Sequence, residues 1–192
     1  MKVAITGGIG SGKSTLCKIL QQMGYTVISS DAVCAELYRD AEFCRYIGVA
    51  LGLDFDGSLE SKRRLSDVVF QDKDKLQQLN AIVHPSVYRE IERKLSREKG
   101  LCFVEVPLLF ESGGEGNFDH VVIVMRDEKS RVQSTINRDG ITESDVKNRI
   151  KNQVDYEKID KTAHTVLIND GSIEELQSKA VALVKTLSKK TI

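Results

Sequence analysis

One stretch near the start of the chain, Gly7-Gly8-Ile9-Gly10-Ser11-Gly12-Lys13-Ser14, constrains the fold more than any other. It fits G-x-x-x-x-G-K-[ST], with Gly7, Gly12, Lys13 and Ser14 at the required places. Such a match carries weight only between a strand and a helix. Val3-Ala4-Ile5 before it is short, apolar and partly β-branched, as a buried strand is. Leu16, Ile19, Leu20 and Met23 after it recur at helical spacing. The stretch therefore reads as the loop of a strand–loop–helix unit. Its glycines, Gly8, Gly10 and Gly12 among them, let the backbone turn its N–H groups inward around an anion. The helix N-terminus adds partial positive charge at the same place. Lys13 is expected to act as an exposed clamp on β- and γ-phosphates, Ser14 to bind Mg²⁺ through its hydroxyl, and Thr15 to add a phosphate contact.

A chain of 192 residues makes one domain with room for insertions and for a substantial core. Lys plus Arg and Asp plus Glu number 28 each. That balance leaves no basic footprint for nucleic acid. The longest apolar run, Val121 to Met125, is about five residues, against the roughly 20 that span a bilayer. The first strand stops at Thr6-Gly7 and forms no signal-peptide core. Cys17, Cys34, Cys44 and Cys102 fall at no metal-binding or redox spacing and read as reduced, small core residues. The expectation is a cytoplasmic protein with no membrane or nucleic-acid partner.

Along the chain, Thr26-Val27-Ile28 reads as a second strand and Ala32 to Tyr38 as a helix that Asp31 could cap. Ligands of open α/β sheets collect at the carboxyl ends of strands, which puts Asp31 and the phosphate loop on one side. Residues 41–99 break the alternation. Helical stretches are expected over Ala41–Leu51, Arg63–Phe70 and Asp72–Val83. His84-Pro85 is expected to end the last of these, because a residue before proline is pushed out of the α region. Pro85 then opens another helix through Val87, Ile91 and Leu95. Leu101–Val106 is a third strand, followed by Pro107-Leu108-Leu109-Phe110-Glu111. The Glu111 carboxylate is placed to hold a metal-bound water or to orient a substrate. His120–Met125 is a fourth strand, followed by a helix from Lys129 to about Asp139. Thr142 and Asp145 form a capping-box pattern for a helix from Glu143 to about Gln153. That helix is charged nearly all round, as a mobile lid closing on phosphates would be. Thr165–Ile168 is a fifth strand, and the last helix buries Ile173, Leu176, Ala180, Leu183, Val184 and Leu187.

The phosphate loop admits three classes of protein. A GTPase switch needs a guanine-reading N-K-x-D, which does not occur. A nucleic-acid motor needs more length and a basic surface. A small-molecule kinase needs one insertion for the acceptor and one to cover the phosphates, and this chain has both. Catalysis of that kind is mostly positioning and charge neutralisation. Lys13, Arg138, Arg149 and Mg²⁺ would surround the migrating phosphoryl group, and Asp31 would orient or take the acceptor proton. The residues alone leave the acceptor open, a nucleoside monophosphate among the candidates.

Six stretches in order resemble the dephospho-coenzyme A kinase family. They are Ile5 to Ser14; Val27-Ile28-Ser29-Ser30-Asp31; Leu79-Asn80-Ala81-Ile82-Val83-His84-Pro85; Val106-Pro107-Leu108-Leu109-Phe110-Glu111; Arg138-Asp139-Gly140-Ile141-Thr142 with Arg149 and Gln153; and Ile168-Asn169-Asp170-Gly171-Ser172. The His-Pro and Val-Pro-Leu-Leu-Phe-Glu stretches are the specific ones. The resemblance implies an α/β fold: a P-loop NTPase core with a parallel sheet flanked by helices, about 1–30, 100–137 and 163–192. It adds a helical acceptor-binding insertion, about 31–99, and a lid, about 138–160. It implies ATP-dependent phosphorylation of the ribose 3′-hydroxyl of dephospho-coenzyme A by a monomer or weak homo-oligomer. Catalysis would fall to Asp31, Lys13 and Arg138. ATP would meet residues 8–15, Arg138, Asn169 and Gly171. The acceptor would meet Asp31, His84, Pro107, Leu108, Glu111 and Arg149. Ser29 stands where the family usually has the first aspartate of Asp-x-Asp, and Asp31 matches the second.

Overall fold

The computed structural model describes residues 1–189. In chain order the elements are β1 (Lys2–Thr6), α1 (Lys13–Gln22), β2 (Thr26–Ser29), α2 (Ser30–Leu37), α3 (Ala41–Leu51), α4 (Leu59–Gln71) and α5 (Lys73–Leu95). There follow β3 (Cys102–Glu105), β4 (His120–Met125), α6 (Glu128–Asp139), α7 (Glu143–Lys151), β5 (Thr165–Ile168) and α8 (Ile173–Lys189). The strands form one sheet in the order β2-β3-β1-β4-β5. β1 pairs in parallel with β3 and with β4, and β4 with β5. This is the α/β class that the alternating pattern predicts. The chain folds as two compact units, Met1–Ile28 together with the chain from Glu98 on, and Ser29–Arg97.

In the first unit, β1 and β4 are interior strands, so both their faces need cover. Their sequences meet that need: Val3-Ala4-Ile5 and Val121 to Val124 are buried throughout. Leu16, Ile19 and Leu20 of α1 and Leu176, Ala180, Leu183, Val184 and Leu187 of α8 pack into the same core. The spacing of the α8 residues keeps them on one helical face. Ile173, expected in that set, is 46% exposed, because it opens the helix before the buried face begins. The β1–β3 register places Ile5 beside Glu105. The carboxyl end of β3 therefore lies at the root of the loop that follows β1.

In the second unit α4 starts at Leu59, four residues before the expected Arg63, and two larger differences bear on the site. His84-Pro85 does not end a helix: α5 runs unbroken through Pro85 for 23 residues. An interior proline costs a helix roughly 3 kcal/mol, because it donates no N–H and crowds the preceding turn. Leu79, Val83, Val87, Ile91 and Leu95, spaced by four, are all buried along one face of α5. Each contributes about 1.5–3 kcal/mol, and together they outweigh the break. The second difference is the start of α2. Its cap is Ser29, whose Oγ accepts from Ala32 N at 3.3 Å, and Asp31 lies inside the first turn. A cap needs extended backbone, which Ser29 has as the last residue of β2.

Candidate active site

The loop after β1 is held by its own lysine. Lys13 Nζ donates to Gly7 O at 2.7 Å and to Gly8 O at 3.0 Å. Lys13 is only 8% exposed, against the expectation of an exposed clamp. The first turn of α1 carries it inward beneath the loop, so its ammonium faces the loop interior and not solvent. Burial is the main influence on it and lowers its pKa from 10.5 to about 8. Glu105 opposes that shift, while the positive charges of Arg131 and Arg138 add to it. Gly12, the residue before α1, has φ +96°, a left-handed conformation suited to glycine. A side chain there would also run into Asn169 Nδ2.

Ser14, exposed on the first turn of α1, donates its hydroxyl to Glu105 Oε1 at 2.7 Å. A serine hydroxyl and a carboxylate in contact are two hard oxygen donors of the kind Mg²⁺ takes. Thr15 is exposed beside them. Glu105 falls one position before the end of the Leu101–Val106 strand read from the sequence and belongs to no motif there. The strand register brings it to Ser14.

Asn169 and Gly171 follow β5. Asn169 is buried, and its Nδ2 donates to Ser11 O at 2.8 Å, so it ties β5 to the underside of the loop. Gly171 is exposed. Two further residues hold the top of the loop, and a third holds the end of β1 that leads into it. Arg131 of α6 donates from Nε to Ile9 O at 2.9 Å, and Ile9 N–H donates to Gln153 Oε1 at 2.8 Å. Tyr156, buried against Phe110, pairs its hydroxyl with Thr6 Oγ1 at 3.2 Å. Arg131 and Tyr156 escaped the motif reading. Arg131 precedes Arg138 by seven residues, two helical turns, and that spacing was the available signal.

Arg138 and Arg149 converge on one carboxylate. Arg138 grips Asp139 with Nε at 2.6 Å and Nη2 at 3.0 Å, and Arg149 Nη1 reaches Asp139 Oδ2 at 3.3 Å. The two arginines hold the Asp139 carboxyl below its usual pKa, the Arg138 hydrogen bond foremost. Both guanidinium groups are more than half exposed, so these pairs contribute little to stability. α7 carries the expected capping box of Thr142 and Asp145. It ends at Lys151, two residues before the expected Gln153, and Val146 is its one buried side chain.

Among the proposed acceptor residues, Glu111 accepts from Val154 N at 3.0 Å. Pro107 is half-buried and Leu108 is 51% exposed. Those three belong to the first compact unit, Asp31 and His84 to the second. Asp31 is exposed in the first turn of α2. His84 is half-buried midway along α5, and burial lowers its pKa.

A family model described as dephospho-CoA kinase matches residues 1–175. The dephospho-CoA kinase of Thermus thermophilus is 37% identical over 189 residues, covering 97% of this chain and 91% of its own. A crystal structure from Thermus thermophilus superposes with a TM-score of 0.81 at 37% identity, covering 97% of each chain. The dephospho-CoA kinase structure from Campylobacter jejuni superposes with a TM-score of 0.71 at 26% identity over the full length of both chains.

Proposed function

This chain belongs to the dephospho-CoA kinase family, and from that premise we propose that it transfers the γ-phosphoryl group of ATP to the ribose 3′-hydroxyl of dephospho-CoA. The products are CoA and ADP, and the step closes CoA biosynthesis. The observation that supports this most is the cluster of Lys13, Ser14 and Glu105 where β1, β3 and α1 meet. A lysine inside the loop and a hydroxyl–carboxylate pair beside it are the parts a phosphoryl transferase needs.

In the reaction the acceptor oxygen forms a bond to γ-phosphorus and the bridging bond to the β-phosphate breaks. ADP leaves with the electron pair, and the 3′-hydroxyl proton passes to the Asp31 carboxylate. Lys13 exchanges its bonds to Gly7 O and Gly8 O for phosphate oxygens. Its charge then sits where negative charge collects. Arg138 and Arg149 leave Asp139 for the migrating group, and their lid closes over it. Ser14 and Glu105 would hold Mg²⁺, which neutralises charge on the β- and γ-phosphates when bound. Asn169 supports the loop from below, so its part in ATP binding runs through Ser11. The exposed Leu108 and half-buried Pro107 would offer apolar surface to the acceptor and Glu111 a polar group beside them, while the second unit would contribute His84. We propose a cytoplasmic location, a reading that the four free cysteines support.

The test is ADP release with ATP and a panel of acceptors. Dephospho-CoA should support turnover, with AMP and CMP slower by at least about a hundredfold, since binding energy from the rest of the acceptor is spent on the reacting centre. Equal rates with AMP would replace the acceptor while keeping the kinase.

A further inference from the structure

The apex of the phosphate loop is held from two sides by residues that lie far from it in sequence. Ile9 N–H donates to Gln153 Oε1 at 2.8 Å, and Ile9 O accepts from Arg131 Nε at 2.9 Å. Both polar groups of one residue are thus occupied, one by a side chain of α6 and one by a side chain just after α7. The flanking glycines fit this arrangement. A side chain on Gly8 would meet the Arg131 guanidinium, and one on Gly10 would meet the Arg131 carbonyl and, at 2.7 Å, Thr135 Oγ1. α6 is therefore seated against the loop on both sides of Ile9.

Gln153 is anchored as well. Val154 N–H, next in the chain, donates to Glu111 Oε1 at 3.0 Å, and the Tyr156 hydroxyl is paired with Thr6 at 3.2 Å. The segment after α7 is pinned to the end of β1 and to the loop that follows β3, with Gln153 pointed at the phosphate loop. Lys13 cannot do this work, because its bonds go to Gly7 and Gly8. A loop with glycine at 7, 8, 10 and 12 has many conformations to lose when it closes on an anion. Removing that freedom in advance raises affinity.

We infer that Arg131 and Gln153 clamp the Ile9 peptide and so hold the phosphate loop in its anion-ready shape, which makes them positioning residues for ATP binding. The inference takes from the proposed function only that the loop binds ATP. It is therefore tested by direct ATP binding without acceptor, and a wrong acceptor would leave the result standing.

Gln153→Met keeps the length and removes the acceptor; Gln153→Glu keeps an oxygen facing Ile9. The ATP Kd should weaken about tenfold in Gln153→Met, the loss expected for one hydrogen bond of this kind. It should stay within about threefold in Gln153→Glu. Amide hydrogen exchange at Ile9, followed by NMR without nucleotide, should be slow in the unaltered protein and in Gln153→Glu. It should be faster by about tenfold in Gln153→Met and in Arg131→Met. A folded Gln153→Met with unchanged ATP Kd overturns the clamp. So does equal weakening in both Gln153 variants with Ile9 exchange unaltered. If Gln153→Met does not fold, rapid Ile9 exchange in the unaltered protein is sufficient to overturn it.

Discussion

Lys13 carries a charge that its surroundings disfavour, and on the proposed function ATP is the group that would relieve this. In the ATP-free protein the ammonium loses its proton near pH 8. Phosphates favour the charged form and raise the pKa, so the complex holds more protons than the free protein above that pH. ATP affinity should therefore fall as pH rises through about 8 and level off below it, where Lys13 is already charged and contributes in full. Calorimetry in two buffers of different ionisation enthalpy should show proton uptake on binding at pH 8.5 and little at pH 7. Lys13→Met should lose about 10²–10³ in kcat and keep its fold, because it removes charge stabilisation and no packing. Near-normal turnover in the folded variant would contradict the phosphate-loop assignment. Asp31 and Ser29 separate cleanly. Asp31→Asn should lose about 10²–10⁴ in kcat with little change in the KM for ATP. Ser29→Ala should cost less than about tenfold in kcat. It removes the α2 cap, so it should lose about 0.5–2 kcal/mol of stability. If Asp31→Asn keeps its kcat, the catalytic carboxylate lies elsewhere, with Glu111 the next candidate.

At the scale of elements, α7 is a helix with one buried side chain, Val146. Its exposed arginine is held by a carboxylate that phosphate can replace. Such a helix should exchange its amide hydrogens quickly in the free protein and slowly with ATP and dephospho-CoA bound. Strong protection in both states would make α7 an ordinary surface helix. α5 poses a different question. Alanine in a helix interior is better than proline by about 3 kcal/mol, less about 0.4–1 kcal/mol for proline's stiffening of the unfolded chain. Pro85→Ala should then raise the unfolding free energy by about 2 kcal/mol in urea titration. A loss of stability instead would show that α5 needs the ring's packing.

For the whole molecule, discrimination between acceptors is the relevant quantity. CoA should bind as product and accept no phosphate, because its 3′-hydroxyl is already occupied. Inhibition by CoA that competes with dephospho-CoA, with no ADP released by CoA alone, is the expected result. Much of this protein was legible in its sequence, because the signals were local. The phosphate loop lies between an apolar strand and a 3.6-period helix. β4 and β5 have the predicted bounds, and Thr142 with Asp145 caps α7 as their spacing requires. Each depends on residues within a turn or two of one another. What the tertiary structure alone decided involves partners far apart in the chain. The parallel pairing of β1 with β3 sets Glu105 against Ser14 across 91 residues of sequence. The packing of α6 and of the chain after α7 brings Arg131 and Gln153 to Ile9 across 122 and 144. Burial along α5 carried the helix through a proline that local preference would end. The packing of α1 against the sheet took Lys13 out of solvent and into the loop before it. Local rules rank conformations of a short segment; which distant groups meet follows from burying apolar faces that no segment can bury alone.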